Sequence, residues 1–112
     1  MFEEVKAMLP VSGNAYDAQI LTQIKAAVLD LTTSAEITLD GVVDITRDAD
    51  TGAVTDNSTI VDELAITAIA VWCNMRIGNP PNYDNLSKAY HTMKGNMRMS
   101  KAYKAAPEEE GT

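Results

Sequence analysis

Few residues in this chain carry side chains that could do chemistry, and their spacing argues against most of it. His91 is the single histidine, one position after Tyr90, with no Asp or Cys pattern beside it to build a proton relay. A surface or interface role fits it better than general acid–base catalysis. Cys73 sits in an apolar stretch, a setting that raises a thiol pKa and withholds the thiolate a nucleophile needs. With no second cysteine there is no internal disulfide, and the thiol should behave as a small hydrophobe. Asp48, Asp50 and Asp56 alternate with small polar residues as calcium ligands do. A helix–loop–helix calcium site counted from Asp48 would need Gly sixth and Glu twelfth, where the chain has Ala53 and Thr59. A solvated acidic loop is the better expectation. The six glycines stand singly, so no Gly-rich phosphate cradle forms, and no zinc-ligand spacing occurs. These absences lead to the expectation of a protein that is not an enzyme and uses no metal or cofactor.

Binding chemistry leaves two candidates. Lys94, Arg98 and Lys101 fall along one side of a helical segment, where they could touch phosphates, form a subunit contact or simply be solvated. A pI near 4.5 is the reverse of the basic footprint of a duplex-gripping domain. Met93, Met97 and Met99 read either as core filler or as an adaptable partner surface.

The element that must position these residues is a long apolar helix predicted over Thr59 to Gly78, about five turns. Ser58 or Thr59 can cap its start, Asp62 and Glu63 suit the positive end of the helix dipole, and Gly78-Asn79-Pro80 gives a stop. Ile60, Leu64, Val71 and Met75 line one side, Val61, Ala65, Ala68 and Trp72 the next, and Ile66, Ile69, Cys73 and Ile77 most of the remainder. A helix apolar nearly all round is expected to need covering by other helices or by neighbouring subunits. An aromatic share of only 5% means that the core is mostly Ala, Leu, Ile, Val and Met.

At 112 residues the chain is a single small domain, mainly α, a bundle of about four helices. A first short helix is predicted over Phe2 to Leu9, with Phe2, Val5, Met8 and Leu9 inward and Pro10 as its stop. The second runs from Asp17, as N-cap, to about Thr33. Ile20, Ile24, Ala27 and Leu31 make its core stripe, with Gln19, Gln23, Lys25 and Asp30 outside. Residues 34–58 form an acidic insertion. Ile37-Thr38-Leu39 and Val42 to Thr46 could pair as a β-hairpin about Asp40-Gly41, and Asp48 to Asn57 reads as an exposed loop. After a Pro-rich corner the last helix starts from Asn79 or from Asp84, and Leu86, Tyr90, Met93 and Met97 give it one apolar stripe. Residues 104–112 read as a flexible tail. No apolar run reaches the roughly 20 residues of a membrane span, and Met1-Phe2-Glu3-Glu4 lacks the basic start of a signal peptide, so the protein is expected to stay where it is made.

Charge is strongly segregated. Residues 1–63 hold 12 acidic and 3 basic side chains, residues 64–106 hold 1 acidic and 6 basic, and Glu108 to Glu110 add three negatives, for a net charge of −7. Were the two halves to lie on opposite sides of the domain, copies could associate acidic side to basic side. Charge reversal at Lys94 and Arg98 is then expected to weaken assembly in a salt-sensitive way.

The order of these pieces resembles the head-tail connector (adaptor) proteins of long-tailed bacteriophages. The resemblance is carried by Glu3-Glu4-Val5-Lys6-Ala7-Met8-Leu9, the Asp17 to Leu31 helix, Glu63 to Val71, and Gly78-Asn79-Pro80 leading to Lys88-Ala89-Tyr90 and Met99-Ser100-Lys101-Ala102-Tyr103. It covers most of the chain outside residues 34–58. It implies a virion protein that forms a ring, usually a dodecamer, between the portal at the capsid vertex and a stopper or tail-completion protein. Such a ring is assembled in the host cytoplasm, and double-stranded DNA passes through its lumen without sequence-specific binding. On that reading Trp72, Lys94, Met97, Arg98, Met99, Lys101 and Tyr103 are candidates for subunit or portal contact, while Asp44, Asp48, Asp50 and Asp56 face the channel or a neighbour. The alternatives are a small helical regulatory or DNA-binding module and an accessory subunit of an enzyme.

Overall fold

The computed structural model describes residues 1–11, 13–77 and 81–99. It has four α-helices, α1 (Phe2–Ala7), α2 (Asp17–Leu29), α3 (Glu63–Arg76) and α4 (Tyr83–Met99). A two-stranded antiparallel hairpin, β1 (Ile45–Arg47) and β2 (Val54–Asp56), lies between α2 and α3. The mainly helical bundle with an inserted hairpin is the architecture expected from the sequence.

Packing centres on α3, which contacts α1, α2 and α4. Its Ala65, Ile66, Ala68, Ile69, Ala70, Cys73 and Met75 are buried, and the small alanines let neighbouring helices approach. Leu64 stays 36% exposed, while Val71 and Trp72 are half-buried. The chain therefore covers its own central helix for the most part, and of the two covers expected for it, other helices or neighbouring subunits, α1, α2 and α4 of the same copy supply the greater share.

The helix also begins later than Thr59. Asp62 is the N-cap, its carboxylate accepting the Leu64 N–H at 3.1 Å. Ser58 and Thr59 cannot cap because their hydroxyls serve the segment opposite. Ser58 Oγ accepts the Asp44 N–H and Thr59 Oγ1 the Val42 N–H, each at 2.9 Å.

On α2, Ile20, Ile24 and Ala27 are fully buried, as is Leu31 just past its end, as their spacing requires. Asp17 is not the cap but the first helical residue. It is buried at 4% exposure, where it takes a 2.8 Å ion pair from Lys6. The helix runs on through a π-helical turn, Asp30–Ser34, in which the Thr32 hydroxyl donates back to the Val28 carbonyl at 2.8 Å.

The hairpin is displaced from its expected position. Ile45 faces Asp56, Thr46 faces Thr55 and Arg47 faces Val54, so the turn lies at Asp48 to Ala53 and not at Asp40-Gly41. Asp48 nucleates it by accepting the N–H groups of Asp50 and Thr51 at 2.8 and 3.1 Å, and Gly52 supplies the left-handed φ of +77°. Gly41 has a different task at the base of this arm. A Cβ there would stand 2.5 Å from Thr59 Oγ1 and 2.8 Å from its carbonyl oxygen, so only glycine admits the crossing. The Thr59 N–H donates to the Val42 carbonyl at 2.9 Å and that of Asn57 to the Asp44 carbonyl at 2.7 Å, which closes the base.

At the ends, α1 buries Phe2 and Val5, with Leu9 beyond its last turn, but leaves Met8 46% exposed instead of inward. The expected start at Asp84 falls one residue late: the helix begins at Tyr83, with the Leu86 N–H donating to the Asn82 carbonyl at 3.1 Å. Asn79 and Pro80 lie outside the described residues. Tyr90 and Met97 are buried, and Leu86 and Met93 pack partly buried against the core, which completes the predicted stripe.

Candidate assembly surfaces

Two polar ties hold the helices in register, and both use residues that periodicity assigns to the outside. Tyr90 donates its hydroxyl to Asp30 Oδ2 at 2.6 Å, and Lys94 Nζ reaches the same oxygen at 3.0 Å. Partial burial alone would raise the Asp30 carboxyl, but the Tyr90 hydrogen bond and the Lys94 charge hold it below its ordinary value. Burial and the adjacent Asp30 push the Tyr90 hydroxyl up, so it remains a donor. This is a clamp between α2 and α4. It offers no activated nucleophile.

The second tie starts at Gln23, whose Oε1 accepts the Trp72 Nε1–H at 3.1 Å. The Trp72 ring leans on Tyr90 at 5.3 Å between centroids, and the Arg76 guanidinium lies over it at 3.9 Å. Beside this stack is an open pocket of about 270 Å³ lined by Ala18, Gln19, Thr22, Gln23, Arg76 and Ile77. Arg76 is exposed, and no carboxylate within ion-pair distance of it occurs among the described residues. A second, more apolar groove of about 380 Å³ runs between α2 and the 39–43 segment, lined by Val28, Thr32, Leu39, Val42 and Val43 with Lys25 at its edge.

The candidate contact residues separate on inspection. Met97 is fully buried, so it belongs to the core and not to a surface. Lys94 is turned inward by Asp30, its side chain only 16% exposed, so it is a packing residue instead of a free cation. Trp72 is half-buried within the stack. Arg98 is exposed and Met99 is 83% exposed, which leaves them free for contact. Lys101 and Tyr103 lie outside the described residues.

Of the acidic set, Asp44, Asp48 and Asp50 are exposed. Asp56 is half-buried and engaged within the chain. Its Oδ2 holds the Met1 ammonium at 2.8 Å and the Phe2 N–H at 2.6 Å, tying the hairpin to α1. Burial would raise the Asp56 carboxyl, but these donors hold it well below the usual range. Asp48 is also held low, by the backbone N–H groups of Thr51 and Asp50. Sequence reasoning missed Arg76, Gln23 and Asp30; a cation four residues after a tryptophan on one helix was the available signal for the first.

Burial raises the Cys73 thiol to about 12, so it is no nucleophile. Among the described residues no cluster of three or more His, Cys, Asp or Glu could hold a metal ion, and no helix is long and apolar enough to cross a membrane. What the fold presents is a small helical domain with an acidic arm, an arginine pocket and an exposed Arg98–Met99 end. A family model described as phage connector protein matches residues 1–104. The chain therefore belongs to the phage connector family, a structural family of the virion neck whose members associate with other virion components such as the portal. No curated protein and no solved structure gives a match.

Proposed function

We propose that this protein forms a ring between the portal and the stopper or tail-completion protein at the capsid vertex, assembled in the host cytoplasm around a passage for double-stranded DNA. The observation that carries the reading is the family match over residues 1–104. Physical features support it. Acidic and basic side chains are segregated along the chain, which suits contacts that close by rotation. The exposed carboxylates of Asp44, Asp48 and Asp50 suit a surface past which DNA slides without sticking.

Met97 anchors the end of α4, so the portal contact begins beyond it, at Arg98 and Met99. Lys101 and Tyr103 continue that contact on the same reading. Mixing the full chain with purified portal and weighing the product by native mass spectrometry tests this. A complex holding about a dozen copies per portal ring is expected. Failure to associate with portal at any ratio, with the protein folded, overturns it.

A further inference from the structure

We infer that the Arg76 pocket is a socket for a carboxylate of a second copy of this chain, supplied by Asp50 at the tip of that copy's hairpin. This rests on the ring reading, and it names the contact by which neighbours would meet.

The pocket is prepared for a planar anion. The Arg76 guanidinium carbon lies over the Trp72 ring at 3.9 Å, and with no carboxylate paired to it among the described residues its N–H groups remain for a partner, a carboxylate being the anion that a guanidinium grips with two of them. Gln23 fixes the Trp72 ring through Nε1, so the stack is ordered before anything binds and little side-chain freedom remains to be lost. Gln19 and Thr22 line the rim. The Thr22 hydroxyl already donates to the Ala18 carbonyl at 3.1 Å, which leaves the side-chain amide groups of Gln19 and Gln23 as the additional donors.

The choice of occupant follows from charge and from what is already engaged. Of the four cations on α3 and α4, Lys94 is held by Asp30, while Arg76 is exposed beside a pocket of about 270 Å³. Among the hairpin carboxylates, Asp56 is held by the Met1 ammonium and Asp48 by its own turn, and Asp44 sits at the base of the arm. Asp50 stands at the apex, exposed, its backbone N–H donating to Asp48 and its carboxylate without a hydrogen-bond or ion-pair partner among the described residues. Tip and pocket are different parts of the chain, so on the ring reading the contact repeats head to tail from one copy to the next and closes by rotation.

The test uses the full chain assembled with purified portal. Arg76→Glu and Asp50→Arg should each lower assembly at least ~10-fold at physiological salt, and combining them should restore it to within about threefold of wild type, since reversal recreates the pair. A short bifunctional thiol reagent should also join an Asp50→Cys chain to a Gln19→Cys chain in the same assembly. Asp50→Arg lies on an exposed turn and reads the contact even if Arg76→Glu folds poorly. Normal assembly by both single variants with no cross-link removes the socket and leaves the ring standing. Loss of duplex DNA binding by Arg76→Glu with assembly unchanged assigns the pocket to phosphate and also overturns the inference. A wild-type chain that never joins the portal defeats the ring, and the socket with it.

Discussion

Asp30→Asn is the substitution that most directly tests how the bundle is held. The variant keeps the shape and one acceptor but loses the charge that Tyr90 and Lys94 share at 2.6 and 3.0 Å. Replacing a charge-assisted hydrogen bond by a neutral one costs about 1 kcal/mol. Losing a pair whose side chains are 16% and 21% exposed adds roughly another 1 kcal/mol, well short of a fully buried ion pair. The expected loss is therefore about 2 kcal/mol at pH 7, seen in urea unfolding as a lower midpoint with an unchanged slope. The pH dependence fixes the cause. Because the folded carboxyl titrates below its ordinary 3.8, its contribution is complete above that value and is lost as pH falls from there through the folded pKa. The gap between wild type and variant should accordingly close at low pH. A gap under about 0.5 kcal/mol at pH 7 contradicts the clamp, and so does one that stays constant down to acid.

Three further outcomes are expected. Met97→Ala should cost roughly 2–5 kcal/mol because it empties a fully buried site, whereas Met99→Ala should change thermal stability by less than about 0.5 kcal/mol, and calorimetry separates them. Gly41→Ala should cost about 1–3 kcal/mol by forcing Thr59 away, visible as faster amide exchange at Thr59 itself. Cys73, with its thiol raised to about 12, should resist a thiol reagent at pH 8 in the folded protein and react fully once it is denatured; rapid native labelling would contradict its burial.

The helical framework was legible because it rests on period. Ile20, Ile24, Ala27 and Leu31 along α2 and the turn that continues it, and Leu86, Tyr90, Met93 and Met97 on α4, declare one face each, and the fold uses those faces. What remained hidden depends on partners distant in sequence. Gln23 and Asp30 have outward register and polar chemistry, yet they meet Trp72 and Tyr90, 49 and 60 residues later. The hairpin was misplaced because Asp40-Gly41 carries a turn signature, while Gly41 is needed for its closeness to Thr59 and Asp48 makes the turn. Ser58 and Thr59 have capping chemistry, but the arm claims their hydroxyls first, and Asp62 caps instead. The order of segments in the chain carried the family, and side-chain chemistry alone did not.

The closure of the arm between residues 42–44 and 57–59 has a consequence for how this domain can vary. With its stem fastened by backbone and hydroxyl pairing, Ile45 buried in the core and Asp56 holding Met1, the part left to vary is the turn beyond Arg47 and Val54, and each doubling of its length costs only about 0.6 kcal/mol in closure entropy. Residues added in matched pairs, one on each side of the Asp48 turn, would lengthen its reach and keep the alternation of faces; a single extra residue would invert every side chain past it. If copies meet through this arm, as proposed above, rings of different girth could be spanned by resizing a single finger, with the palm unchanged.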